Sequence, residues 1–72
     1  MIKVKINDFT IKVAAEVEIF EENKKIKSIP VDKFIENGMK LFPKKLYSLI
    51  KRDLKSANQY DKLMEKIFDC YR

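Results

Sequence analysis

The first thirteen residues alternate with the period of a strand, and the parity of that alternation changes once. Ile2, Val4 and Ile6 are apolar on even numbers, and Phe9, Ile11 and Val13 on odd numbers. The switch falls at Asn7-Asp8. A two-residue turn there pairs Ile6 with Phe9, Val4 with Ile11 and Ile2 with Val13, all on one face. The pattern predicts a β-hairpin.

Residues 14–23 permit two readings. Val13, Ala15, Val17 and Ile19 continue the odd-numbered alternation, whereas Ala14-Ala15 and the glutamates are good helix formers. Continuity with the second strand decides for extended chain. Glu22-Asn23-Lys24 then serves as a turn, and a third strand runs from about Lys25 to Ile29. That register sets Phe20 opposite Ile26, Val17 opposite Ile29, and Glu21 opposite Lys25 as a favourable charge pair.

After Ile29 the period becomes helical. Pro30 fits a first helical turn, where its missing N–H is not needed. Val31, Phe34, Ile35, Met39 and Phe42 then recur at helical spacing with Gly38 on the same face. This favours one helix to about residue 41, broken at Phe42-Pro43 because proline disfavours helical geometry in the residue before it. The alternative, a helix capped by Gly38 and followed by a recognition helix, would read as a helix-turn-helix. A second helix is expected over 43–55 and a break at Ser56-Ala57-Asn58, with Asn58 as N-cap of the next helix. Tyr60, Leu63, Met64, Ile67, Phe68 and Tyr71 form the apolar stripe of that third helix, over about 59–71.

The expected fold is therefore α+β in one domain spanning 1–72. An N-terminal three-stranded antiparallel sheet (1–29, a β-hairpin plus a third strand) precedes a helical half (30–72) of two or three α-helices packed on one face. The expected core holds Val4, Ile6, Phe9, Ile11, Val13, Phe34, Ile35, Leu46, Leu49, Ile50, Leu63, Met64, Ile67 and Phe68.

Composition removes most chemistries. The chain has no histidine, one cysteine and one glycine among 72 residues. Histidine-based acid–base catalysis, a thiolate zinc site within one chain and glycine-rich phosphate loops are all excluded. The carboxylates Glu16, Glu18, Glu21 and Glu22 read as solvated surface, so the expectation is no enzyme, no catalytic residues, no metal and no cofactor. Cys70 reads as a reduced small hydrophobe, which suits a reducing compartment. No uncharged run approaches the ~20 residues of a membrane span. The expected location is the cytoplasm, or the host cytoplasm for a viral protein.

Charge is the remaining signal. Residues 24–55 carry ten basic side chains against three acidic ones, while 1–23 carry three against five and 56–72 three against three. Fourteen of the sixteen basic residues are lysine, which contacts phosphate as a point charge rather than reading bases with a fork. On a helix over 43–55, Lys44, Ser48, Lys51, Arg52 and Lys55 share one face opposite Leu46, Leu49, Ile50 and Leu54, with Lys45 and Tyr47 at its borders. Lys24, Lys25 and Lys27 extend the patch if the third strand lies alongside. Asp53 is the odd residue, a carboxylate among the apolar positions.

Two binding functions follow. One is a regulatory protein that contacts the nucleic-acid backbone through helix 43–55 with little base specificity. The other is a small phage- or plasmid-type modulator that docks on an acidic partner protein. A homodimer through the sheet or the last helix is compatible with either.

Overall fold

The computed structural model of the chain describes residues 2–71, with the side chain of Tyr71 outside what is described. Tyr71 as a member of the apolar stripe, and the charge of Arg72, therefore lie outside the described residues. Four strands come first: β1 (Ile2–Ile6), β2 (Phe9–Val13), β3 (Glu16–Glu21) and β4 (Lys24–Pro30). Three helices follow: α1 (Val31–Asn37), α2 (Lys44–Arg52) and α3 (Leu54–Tyr71), with a 3₁₀ turn over Gly38–Leu41 between the first two. The fold is α+β. The sheet is antiparallel in the order β1-β2-β3-β4.

The first hairpin has the expected register, Ile6 opposite Phe9 and Ile2 opposite Val13. Asn7 takes the left-handed conformation at φ 54°, which asparagine tolerates better than most residues. The three-strand expectation is corrected at Ala14-Ala15. The chain reverses there, with the Ala14 N–H donating to the Glu16 carbonyl at 3.1 Å. Val13 then faces Val17, and β2 and β3 are separate strands.

The last hairpin closes more tightly than expected. Glu22 and Asn23 both adopt positive φ, 50° and 71°, the combination a two-residue hairpin loop requires. Glu21 pairs with Lys24 and Phe20 with Lys25. A register shift then restores the expected pairing of Val17 with Ile29 and leaves Ile26 as the unpaired residue, 40% exposed.

Helix α1 ends earlier than its periodicity implies. Gly38 sits at φ 64° and its N–H bonds to the Phe34 carbonyl, so the α-helix stops at Asn37 and continues as 3₁₀. Phe42 is extended, φ −73° and ψ 156°, as the following proline demands. The next boundary also moves: α2 stops at Arg52 and α3 starts at Leu54, so residues 56–58 lie inside a helix rather than between two.

The strands' inward residues and the helices share one core. Ile6, Ile11, Val13, Val17 and Ile19 from the sheet meet Phe34, Leu46, Leu63 and Ile67 from the helices, all buried. Phe42 stacks on Phe34 at 5.2 Å and meets Tyr60 edge-on at 5.9 Å, filling the corner that the 3₁₀ turn opens. Phe68, expected inside, is 44% exposed, while Ile35, Leu49 and Met64 are only partly buried. Helix α3 packs on β1 and α2, and α1 on β3 and β4. No helix among the described residues is long and apolar enough to cross a membrane.

Candidate functional site

Helix α2 begins at a proline that supplies no side-chain cap. Pro43 stands at the N-cap with φ −55° and ψ 149°, and its carbonyl accepts the Tyr47 N–H at 2.9 Å. Leu46 and Ile50 are buried and Leu49 half-buried, which fixes the rotation of the helix. Lys44, Lys45, Ser48, Lys51 and Arg52 are consequently exposed. Lys51 and Arg52 in the last turn complement the helix dipole, but Lys44 and Lys45 in the first turn oppose it, and no acid stands there to offset them.

Asp53 ends this helix and begins the next. Its N–H donates to the Leu49 carbonyl at 2.9 Å, closing α2, and its own carbonyl accepts from Ala57 at 2.9 Å, opening α3. Its carboxylate accepts the Ser56 N–H at 3.1 Å and the Ser56 hydroxyl at 2.8 Å. This is the N-cap arrangement, and it explains a carboxylate at an apolar position: the residue leaves the helical path at φ −110°, ψ 119°. The Ser56 hydroxyl chiefly, then the Ser56 N–H and the charges of Lys55 and Arg52, hold the Asp53 carboxyl below its ordinary value.

The break moves Lys55 onto α3, yet the turn returns it to Arg52. An open cleft of about 680 Å³ is lined by Arg52, Asp53, Lys55 and Gln59 from the helices and by Lys5 and Asn7 from the first hairpin. A second groove of about 490 Å³ runs along α2 past Lys44, Lys45 and Ser48, with Asp8 and Glu21 on its far wall. Both grooves include Asn7, Leu49 and Arg52, so they are contiguous and Arg52 stands at their junction. Among the described residues, Lys5, Lys44, Lys45, Arg52 and Lys55 form no ion pair.

The structure thus brings together Lys44, Lys45, Ser48, Arg52 and Lys55. Lys51 and Tyr47 line neither groove and sit against each other, with the ammonium 5.5 Å from the ring centroid. The β4 lysines line neither groove as well. Lys25 pairs with Glu18 at 3.2 Å. Lys27 donates to the Leu41 carbonyl at the end of the 3₁₀ turn. Lys24 is exposed opposite Glu21 at the hairpin tip. Lys5, Asn7 and Gln59 join the site without any signal in the sequence that marks them as site residues, Asn7 reading there only as a turn position. They reach the site only because α3 docks on β1, a contact that no spacing along the chain records.

A helix-turn-helix is not what the early end of α1 produces. Helix α1 packs on β3 and β4, whereas α2 packs on α3, so α2 is not presented by α1. Among the described residues no group of three or more Cys, Asp or Glu side chains is placed to hold a metal ion. The chain matches no family model, and comparisons with curated proteins and with solved structures gave no match.

Proposed function

We propose that this is a non-enzymatic, cytoplasmic binding protein that contacts the phosphate backbone of nucleic acid with little base specificity. The observation that carries this reading is the junction of the two grooves. Arg52 stands there with Lys5 and Lys55 on one side and Lys44 and Lys45 on the other, none of them ion-paired among the described residues. Lysine, arginine, serine and amide side chains are the donors that phosphate oxygens accept from. Two lysines facing the wrong end of a helix dipole add nothing to folding, which argues that another requirement keeps them.

The test is a titration of the full chain with fluorescent single-stranded DNA, duplex DNA and RNA at about 50 and 200 mM salt. Five phosphate contacts, one for each of these cations, predict a loss of affinity of roughly 130- to 500-fold between the two conditions. Replacing Lys5, Arg52 and Lys55 by glutamine is expected to flatten that salt dependence while leaving the thermal midpoint near that of the parent. Unchanged binding by the triple variant would overturn the assignment to this cleft.

A second reading rests on Leu54, which is 76% exposed between Arg52 and Lys55 in sequence. An apolar side chain beside cations suits a small phage- or plasmid-type modulator docking on an acidic protein. Leu54→Ser separates the two: it weakens a protein complex and leaves phosphate binding intact.

A further inference from the structure

The face of the sheet turned away from the helices carries its own charge pattern. Lys3 and Lys5 on β1 and Lys12 on β2 alternate with the buried residues and point outward, as do Glu16, Glu18 and Phe20 on β3. The two acids are committed to β4. Glu18 pairs with Lys25 at 3.2 Å, and Glu16 accepts the Ser28 hydroxyl at 2.8 Å. Lys12 lies opposite Glu18 in the ladder, but its ammonium sits instead over the Phe20 ring, 4.9 Å from the centroid. Lys3 and Lys12 face each other directly across β1 and β2, a like-charge pair that works against sheet stability.

A shallow depression gathers these groups: Lys3, Thr10, Lys12, Phe20 and Asn23 line it. It connects to the cleft on the helical side through β1. Lys5 lies two residues from Lys3 on the same side of that strand, about 7 Å along it, and also lines the cleft with Arg52 and Lys55. The cations therefore form a path from α2, over the edge strand, onto the open face.

We propose that this path is the track of a single-stranded nucleic acid, with a base stacked on Phe20 and its flanking phosphates on Lys3 and Lys12. The proposal rests on reading the Arg52–Lys55 cleft as a phosphate-binding surface and names its ligand. A duplex is disfavoured on this path by stiffness. Following it around β1 of a molecule 29 × 24 × 19 Å would need a sharp bend at a deformation cost, and its bases are already stacked. A single strand bends freely and offers both a ring face and a charge at every nucleotide, which is what an aromatic ring among lysines accepts. On binding, the Lys12 ammonium exchanges the ring for a phosphate and the base takes its place.

The experiment is an amide chemical-shift titration of the ¹⁵N-labelled full chain. The probes are oligothymidylate of about ten nucleotides, a duplex of equal charge and poly-glutamate. Single strand is expected to shift two sets of amides together, Lys3, Thr10, Lys12 and Phe20 on the open face and Arg52, Lys55 and Gln59 at the cleft. Duplex is expected to shift only the second set and to bind at least about tenfold more weakly. Phe20→Leu, checked for an unchanged spectrum outside the sheet face, is expected to lower single-strand affinity at least about fivefold. Shifts confined to the cleft overturn this proposal and leave the proposed function standing. Shifts on the open face alone overturn the continuous path, and equal shifts from poly-glutamate overturn base stacking. No shift from any nucleic acid overturns both readings.

Discussion

The carboxylate of Asp53 accepts two hydrogen bonds from Ser56, one from the backbone N–H at 3.1 Å and one from the hydroxyl at 2.8 Å. The pair sits where α2 gives way to α3, and Ser56 is buried while Asp53 is exposed. The capping group is thus wet and its partner dry, and the bend between the helices depends on both. That bend sets the position of Lys55 relative to Arg52.

Asp53→Ala removes the cap and is expected to lower the thermal midpoint by several degrees, with a fall in helicity measured by circular dichroism. Asp53→Asn keeps an acceptor oxygen and is expected to retain most of the stability. Equal losses in the two variants would show that charge, and not the cap, holds the junction.

The same pair predicts an acid-side dependence. The folded Asp53 carboxyl titrates below its ordinary value of 3.8, chiefly because the Ser56 hydroxyl bonds the ionised form. A depressed folded value means stability that is present above the unfolded value and lost as pH falls through the folded one. A carbon-detected NMR titration of the Asp53 carboxyl checks this. Ser56→Ala is expected to move the midpoint back up toward 3.8. No movement would place the shift on the Ser56 N–H, which alanine retains, and on the charges of Lys55 and Arg52.

How much of the fold the sequence displays turns on parity. Ile6 faces Phe9 across a two-residue turn, and a pairing of even with odd must switch the alternation, which is why the first hairpin is visible. Val13 faces Val17 with three residues between them, so odd pairs with odd and the alternation runs on unbroken. A strand that continues and a strand that reverses look alike in that case. The bulge at Ile26 hides the last turn similarly, since the predicted register is right beyond it and wrong by one residue at the tip. The site divides along the same line. Lys44, Lys45, Ser48 and Arg52 are legible because one helix carries them. Lys5 and Gln59 are not, because docking of α3 on β1 brings them there.

Gly38 ends α1 at φ 64°, and a Cβ built on it would lie 3.1 Å from the Tyr60 hydroxyl oxygen. Gly38→Ala therefore meets both a backbone penalty and a steric one, and is expected to cost about 1–3 kcal/mol in a urea melt. In a Tyr60→Phe background the steric part disappears and the backbone part stays, so the same substitution costs less. Burial raises the Tyr60 phenol above its ordinary 10.0 even though the Met39 N–H bonds its oxygen. Stability present below pH 10.0 is accordingly lost as pH rises through the folded value, and ultraviolet titration of Tyr60 reports the midpoint.

Phe34 is fully buried and stacked on Phe42, which in turn meets Tyr60. Phe34→Ala is expected to cost about 3–5 kcal/mol. A chain of this length has only about 4–11 kcal/mol in total. Urea unfolding should find the variant either much weakened or without a cooperative transition, whereas Phe34→Leu retains one. A small effect of the alanine would mean that the 3₁₀ turn collapses into the cavity and that Phe42 replaces the missing ring.

Lys5 and Lys25 carry the same charge on the same sheet, and the structure assigns them opposite fates. Lys5 lines the Arg52–Lys55 cleft and forms no ion pair among the described residues, while Lys25 is bonded to Glu18 at 3.2 Å three strands away. If the cleft holds phosphate, Lys5→Gln removes one contact and lowers the salt dependence by about one unit of log–log slope. Lys25→Gln leaves that slope unchanged and, as an exposed pair, alters stability by less than about 1 kcal/mol. Binding titrations of the two variants at matched salt decide the matter without unfolding either protein. Equal effects would mean that net charge alone draws the ligand, and that the cleft has no privileged place in binding. A loss confined to Lys5→Gln would tie binding to a residue 47 positions from Arg52 in sequence, joined to it only by the packing of α3 on the edge strand.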